Sequence, residues 1–155
     1  MTPAVVAAER AGIPCRVLAY EHDPSTESFG LEAAAAMGVD PRQVFKTLVA
    51  SLASGELVVA VVPVASRLNL KALATATGAK KAAMAEPEAA ERATGYVLGG
   101  ISPLGQRRRL TTVIDESALT HEQIYVSAGR RGLEIALHPG DLMTLTDATV
   151  APISR

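Results

Sequence analysis

The chain has 155 residues and a formal net charge of −1, with 48% hydrophobic residues but only 3% aromatic ones. One core is expected at this length, burying roughly 68–70% of the unfolded surface and packed mainly from Ala, Val, Leu and Ile. The near-neutral balance excludes a broad basic face that coats nucleic acid, while the single cysteine, Cys15, excludes an internal disulfide and a multi-thiolate metal site.

The first element predicted is a helix over residues 3–11, since Thr2-Pro3 is an N-cap followed by proline at the first helical position and Gly12 is a stop. Cys15 to Tyr20 alternates like a strand and leads to the polar loop Glu21 to Thr26. A second helix is predicted over Leu31 to Met37, with Gly38 ending it. Asp40-Pro41 starts a short helical turn. Val44 to Leu52 and Leu57 to Val62 then read as a hairpin joined at Ser54-Gly55. Period-two geometry puts Val44, Lys46 and Leu48 on one face of the first strand and Phe45, Thr47 and Val49 on the other. A lysine between two aliphatic neighbours needs water or a partner for its ammonium.

Asn69 to Thr77 and Glu86 to Ala93 are predicted as helices. Strands are predicted at Tyr96 to Ile101, Leu110 to Ile114, Ile124 to Ser127 and Leu133 to Leu137, followed by a short helix near Pro139 to Met143 and a last strand near Val150. The pattern is a mixed α/β (α+β) domain over residues 1–155, with strands mostly in hairpins. The N-terminus lacks a basic, then apolar, signal segment, and Leu57 to Val62 is too short to span a bilayer. A cytoplasmic protein with no membrane partner is the simplest reading.

The chemistry-bearing segment is Gly95-Tyr-Val-Leu-Gly-Gly-Ile-Ser-Pro-Leu-Gly105, which runs into Arg107, Arg108 and Arg109. A loop this rich in glycine can present backbone N–H groups to a ligand. Taken alone it reads equally as a tight turn at Ser102 to Gly105, with the arginines on a solvated strand end. An RNA partner needs only a local basic patch, for which Lys80 and Lys81, Arg107 to Arg109, and Arg130 and Arg131 are candidates; each is also an ordinary solvated surface. His22, His121 and His138 lack the i, i+4 spacing of a helical zinc site, and Ser102 is not in a G-x-S-x-G elbow. Cys15, in an apolar strand, has the context of an inert thiol. No nucleophile stands out, and no metal or cofactor is indicated.

Met1-Thr-Pro-Ala-Val5, Tyr20-Glu-His-Asp-Pro24, Phe29-Gly30, Val44-Phe-Lys-Thr-Leu48, Ala60 to Ala65, Leu70-Lys71, Gly78-Ala-Lys-Lys81, the glycine-rich run, Ile124-Tyr-Val-Ser127 and Arg131-Gly-Leu133 follow one another from the first residue almost to the last. In this order and spacing the chain resembles the YbaK/EbsC family, and within it the bacterial cysteinyl-tRNA(Pro) deacylases, relatives of the prolyl-tRNA synthetase editing domain. The resemblance implies a YbaK-like fold: a curved, mostly antiparallel mixed sheet with helices packed around it. It also implies a trans-editing enzyme that hydrolyses cysteine from the acceptor end of tRNA(Pro), beside prolyl-tRNA synthetase, with the substrate's own thiol replacing an enzyme nucleophile.

On that resemblance the backbone at Gly99, Gly100 and Ile101 supplies donors to the ester carbonyl, and Lys46 engages the phosphate or ribose of the terminal adenosine. Tyr20, Phe29 and Thr47 line the amino-acid pocket, with Ser102, Pro103, Ser127, Gly129 and Glu134 near the same cleft. Glu134 stands where relatives carry aspartate, which keeps the charge but changes its reach. Tyr20 and Phe29 are also plausible as plain core. Two other functions fit the same residues: a deacylase for alanine or serine on tRNA, and a non-catalytic module that binds tRNA or the synthetase.

Overall fold

The computed structural model describes residues 1–26 and 28–155. Helix α1 spans Pro3–Ala11, where the Thr2 hydroxyl accepts from the Val5 amide and Gly12 closes the helix at φ 68°. Strand β1 is Cys15–Ala19, and helix α2, Phe29–Met37, begins two residues before the predicted start. A 3-10 turn at Pro41–Gln43 follows, with the Asp40 carboxylate accepting from the Arg42 amide.

Strands β2 (Phe45–Leu52) and β3 (Leu57–Pro63) form the hairpin, in register from Phe45 opposite Pro63 to Ser51 opposite Leu57. Helix α3 is Leu70–Thr77, capped by Asn69, and helix α4 is Pro87–Thr94. Between them lies β4, Ala82–Met84, a strand the sequence did not announce. The later elements are β5 (Thr111–Asp115), a 3-10 turn (Glu116–Thr120), β6 (Ile124–Arg130), β7 (Leu133–Leu137), helix α5 (Pro139–Thr146) and β8 (Thr149–Ala151).

The strand predicted over Tyr96 to Ile101 does not form; this stretch is a chain of turns. Its hydrogen bonds are spent locally. The Thr94 hydroxyl accepts from the Tyr96 amide, the Gly100 amide donates to Val97 O at 2.9 Å, and the buried Tyr96 hydroxyl donates to Leu104 O at 2.6 Å. Tyr96 is therefore inward because its phenol ties the loop to itself.

The strands fall into two sheets. One, ordered β1-β7-β6, is antiparallel throughout; the other, ordered β4-β2-β3-β5-β8, is antiparallel up to β3 and parallel from β3 to β8. They meet at a bridge between Val44 and Tyr125. The main core draws Phe45, Val59, Val61 and Ile114 from one sheet and Ile124, Val126, Ile135 and Leu137 from the other, with Ala4, Val5 and Ala8 of α1. A second cluster, Val58, Ala60, Val62, Leu73, Val113 and Ile153, covers the opposite face of β3. Burial on both faces explains the unbroken apolar run of β3. Among the described residues no helix is long and apolar enough to cross a membrane.

Candidate functional site

Strand β4 pairs with β2 only at Ala50–Leu52, so beyond the Val44–Tyr125 bridge no strand among the described residues pairs with Phe45–Leu48 on that edge. A cavity of about 410 Å³ occupies this open edge. Its lining takes every residue from Val44 to Val49, as an edge does, together with Tyr20, Phe29, Leu98, Gly99, Ile101, Ser127, Arg130, Arg131 and Glu134. That volume falls within the range of roughly 300–1,000 Å³ usual for small-ligand pockets.

The wall facing this edge includes Leu98, Gly99 and Ile101 of the glycine-rich loop. A Cβ on Gly100 would lie 2.8 Å from the Arg130 Cα, so the loop is seated backbone-to-backbone on the end of β6. Gly99 has φ 86°, and a side chain there would run into the Arg131 guanidinium. Arg131 stacks its guanidinium 3.6 Å from the centre of the Phe29 ring and reaches toward Leu98 O at 3.4 Å. It joins α2 to the loop across the cavity mouth.

Lys46 extends along the wall and donates to Ser66 O at 2.7 Å; burial, then the nearby Arg67 charge, holds its ammonium below the usual lysine range. Thr47 points the other way, and its buried hydroxyl has no partner among the described residues. Glu134, on β7 between Ser127 and Leu18, is 6% exposed, and burial pushes its carboxyl up to about 8. It is therefore mainly uncharged at neutral pH, so the expected conserved charge is a neutral donor and acceptor instead. Tyr20 is raised above the usual phenol range by burial, with the Glu134 and Glu32 charges adding to it.

The structure thus brings together Tyr20, Phe29, Lys46, Thr47, Gly99, Ile101, Ser127 and Glu134. It leaves four expected residues off the wall. Gly100 is behind the loop; Ser102 is fully buried, with its Oγ accepting from the Leu104 amide at 3.2 Å. Pro103 lines a separate groove with Ala7 and Leu145, and Gly129 packs beside the Tyr96 ring and Thr2. Arg130 and Arg131 line the cavity, although the sequence offered them only as a candidate RNA-binding patch or ordinary surface; no local signal could have paired Arg131 with Phe29.

Chemically the site can bind and polarise. The amides of Gly99 and Ile101 make no hydrogen bond to another described residue, whereas that of Gly100 is already used. No described cysteine, histidine or aspartate lines the wall. Among the described residues no three His, Cys, Asp or Glu side chains converge as metal ligands. A larger groove of about 670 Å³ lies beyond Met84, but it shares only that residue with the cavity and none of the site residues.

Residues 23–145 match the aminoacyl-tRNA editing domain family. A protein of Enterococcus faecalis (strain ATCC 700802 / V583), provisionally named Cys-tRNA(Pro)/Cys-tRNA(Cys) deacylase EbsC, is 38% identical over 136 residues, covering 87% of this chain and 83% of its own. A solved structure described as a provisional trans-editing enzyme for prolyl-tRNA synthetase superposes with a TM-score of 0.86 at 27% identity, over 99% of this chain and 95% of that one. A hypothetical protein of known structure does so with a TM-score of 0.88 at 26% identity, over 99% of both chains. The family match takes in the open edge of β2, the glycine-rich loop and Glu134 alike, and the chain belongs to the aminoacyl-tRNA editing domain family, whose chemistry is hydrolysis of the aminoacyl ester.

Proposed function

We propose that the protein is a trans-acting deacylase that removes cysteine from tRNA(Pro), working in the cytoplasm beside prolyl-tRNA synthetase. The observation that carries this is a ligand-sized cavity with a lysine, a hydroxyl and two loop amides that have no partner among the described residues, and with no described cysteine, histidine or aspartate on its wall to attack or to activate Ser28 or Ser127. A site of this kind suits a substrate that brings its own nucleophile. The cysteine sulfur attacks the ester carbonyl carbon, the bond from that carbon to the ribose oxygen breaks, and the thiol proton passes to that oxygen, which leaves as the ribose hydroxyl. Water then opens the cyclic thioester to free cysteine.

In this reading the amides of Gly99 and Ile101 stabilise charge on the carbonyl oxygen, and Lys46 holds the terminal adenosine through its ribose or phosphate. Tyr20, Phe29 and Thr47 bound the amino-acid end, with neutral Glu134 at hydrogen-bonding reach of a polar group placed there. Purified protein mixed with Cys-tRNA(Pro) should speed loss of the ester, and Lys46→Ala should slow it by about a hundredfold or more. Ser-tRNA should survive, because its hydroxyl is the poorer nucleophile. Hydrolysis no faster than in buffer when prolyl-tRNA synthetase is supplied, cleavage of Ala-tRNA but not Cys-tRNA, or an acyl adduct trapped on the chain would each overturn the proposal.

A further inference from the structure

Three grooves outside the cavity converge on the arginine run. Arg108 is a wall of all three, Arg109 of two, and Arg107 and Arg92 of one. The run is held firmly from behind: the Arg107 and Arg108 amides donate to Thr94 O and Ala93 O at the end of α4. One cation at a helix C-terminus complements the dipole, but three in succession repel one another. Residues 107–109 are exposed, and among the described residues none of their side chains has an ion-pair or hydrogen-bond partner. Glu56 and Glu86 share the largest groove with Arg108 and Arg109, so the unopposed positive charge lies on the other side of the run. The groove bordered by Gln106, Arg108 and Arg109 contains no carboxylate.

The position of this patch matters as much as its charge. Met84, 48% exposed, is a wall of both the site cavity and the groove that Arg108 and Arg109 line. A strand whose 3′ end enters the cavity can leave across Met84 onto the arginines. In a chain of net charge −1, this is where a polyanion gains local attraction.

We propose that Arg107, Arg108 and Arg109 bind the sugar–phosphate backbone of the RNA next to the aminoacylated end. This rests on the reading of the cavity as an aminoacyl-tRNA site, and binding of an uncharged RNA separates the two. The probe is a labelled RNA minihelix ending in single-stranded CCA, titrated at about 50 to 200 mM salt. Arg108→Ala combined with Arg109→Ala should weaken binding about tenfold at the low end and flatten the plot of log K against log salt by about one to two. Arg108→Lys should keep the slope, and Arg42→Ala, which removes a guanidinium paired with Asp40, should change nothing.

Equal affinity and equal slope in wild type and the double variant would overturn the assignment, whether or not wild type hydrolyses the ester. Variant-sensitive RNA binding by a protein that hydrolyses no Cys-tRNA(Pro) supports this surface and sinks only the substrate reading. Should the substitutions spare RNA binding but abolish capture by prolyl-tRNA synthetase, the groove belongs to a protein partner and the assignment to RNA falls.

Discussion

Burying a carboxyl group with no cation in ion-pair contact leaves it one inexpensive state, the protonated one, and among the described residues this is the condition of Glu134. Its carboxyl titrates near 4.5 when free and at about 8 in the fold, so between those values the unfolded chain loses a proton that the folded one keeps. Stability is therefore fully present below about 4.5 and drains as pH rises toward 8, by something on the order of a few kcal/mol. Glu134→Gln removes the proton and keeps the shape. Thermal melting of wild type should fall by several degrees relative to Glu134→Gln between pH 5 and 8.5, with the two nearest at the acid end. Parallel melting curves across that range would show that Glu134 titrates as an ordinary surface carboxylate. The same neutrality bears on selectivity, since a protonated carboxyl can donate to a polar group on the substrate without repelling phosphate.

At the scale of elements, the glycine-rich loop acts as a rigid wall because of what lies beneath it. The Cβ of Gly100→Ala would meet the Arg130 Cα at 2.8 Å and the Arg131 amide nitrogen at 3.3 Å, backbone atoms that cannot swing aside. The loop must lift, at a cost of about 1–3 kcal/mol, carrying the amides of Gly99 and Ile101 with it. We expect Gly100→Ala to melt several degrees lower and to lose at least about tenfold in deacylation, while a melting point and rate equal to wild type would show the seating to be loose. Much of the element order was legible because its signals are local: Thr2-Pro3, Asp40-Pro41 and Asn69 start helical segments, and Gly12, Gly38 and Gly78 end them. What failed depended on distant partners. Tyr96 imitated a strand residue while its hydroxyl bonded Leu104, and β4 exists only because Ala82–Met84 meets Ala50–Leu52 some thirty residues earlier. The division into two sheets follows from β1 pairing with β7, across more than a hundred residues. Of the residues on the cavity wall, the strand period marked Lys46 as needing a partner and the glycine content marked the loop that carries Gly99, while Thr47 was expected there only from the family resemblance; Arg131 had no such signal, since the irregular register between Ser127 and Arg130 determines how the chain approaches Phe29.

Across the whole molecule, the second hydrophobic cluster is closed by the end of the chain, and one side chain holds that closure. Asp115, 2% exposed at the end of β5, accepts from the Ile153 and Ser154 amides at 3.0 Å each through Oδ1, and from the Ser117 hydroxyl at 2.5 Å through Oδ2. Ile153 then fills the cluster with Leu73 and Val113, while Arg67 and Arg155 exchange backbone hydrogen bonds at 2.9 and 2.8 Å. Hydrogen bonds to a charged acceptor contribute about 1.5–3 kcal/mol each, and the donors left behind by Asp115→Ala include the buried Ile153 amide. A loss of about 3–5 kcal/mol is expected, or roughly 10 °C in Tm for a chain of this length. Asp115→Asn, which retains one acceptor oxygen, should lose about half as much. Neither Asp115 nor Ile153 lines the site cavity, so deacylation at 25 °C should stay within about twofold while the amides of Ile153 and Ser154 exchange with solvent far faster. Unchanged exchange at those two amides in Asp115→Ala, with Tm within about 2 °C of wild type, would mean that β8 and its hydrophobic contacts hold the chain end without the carboxylate.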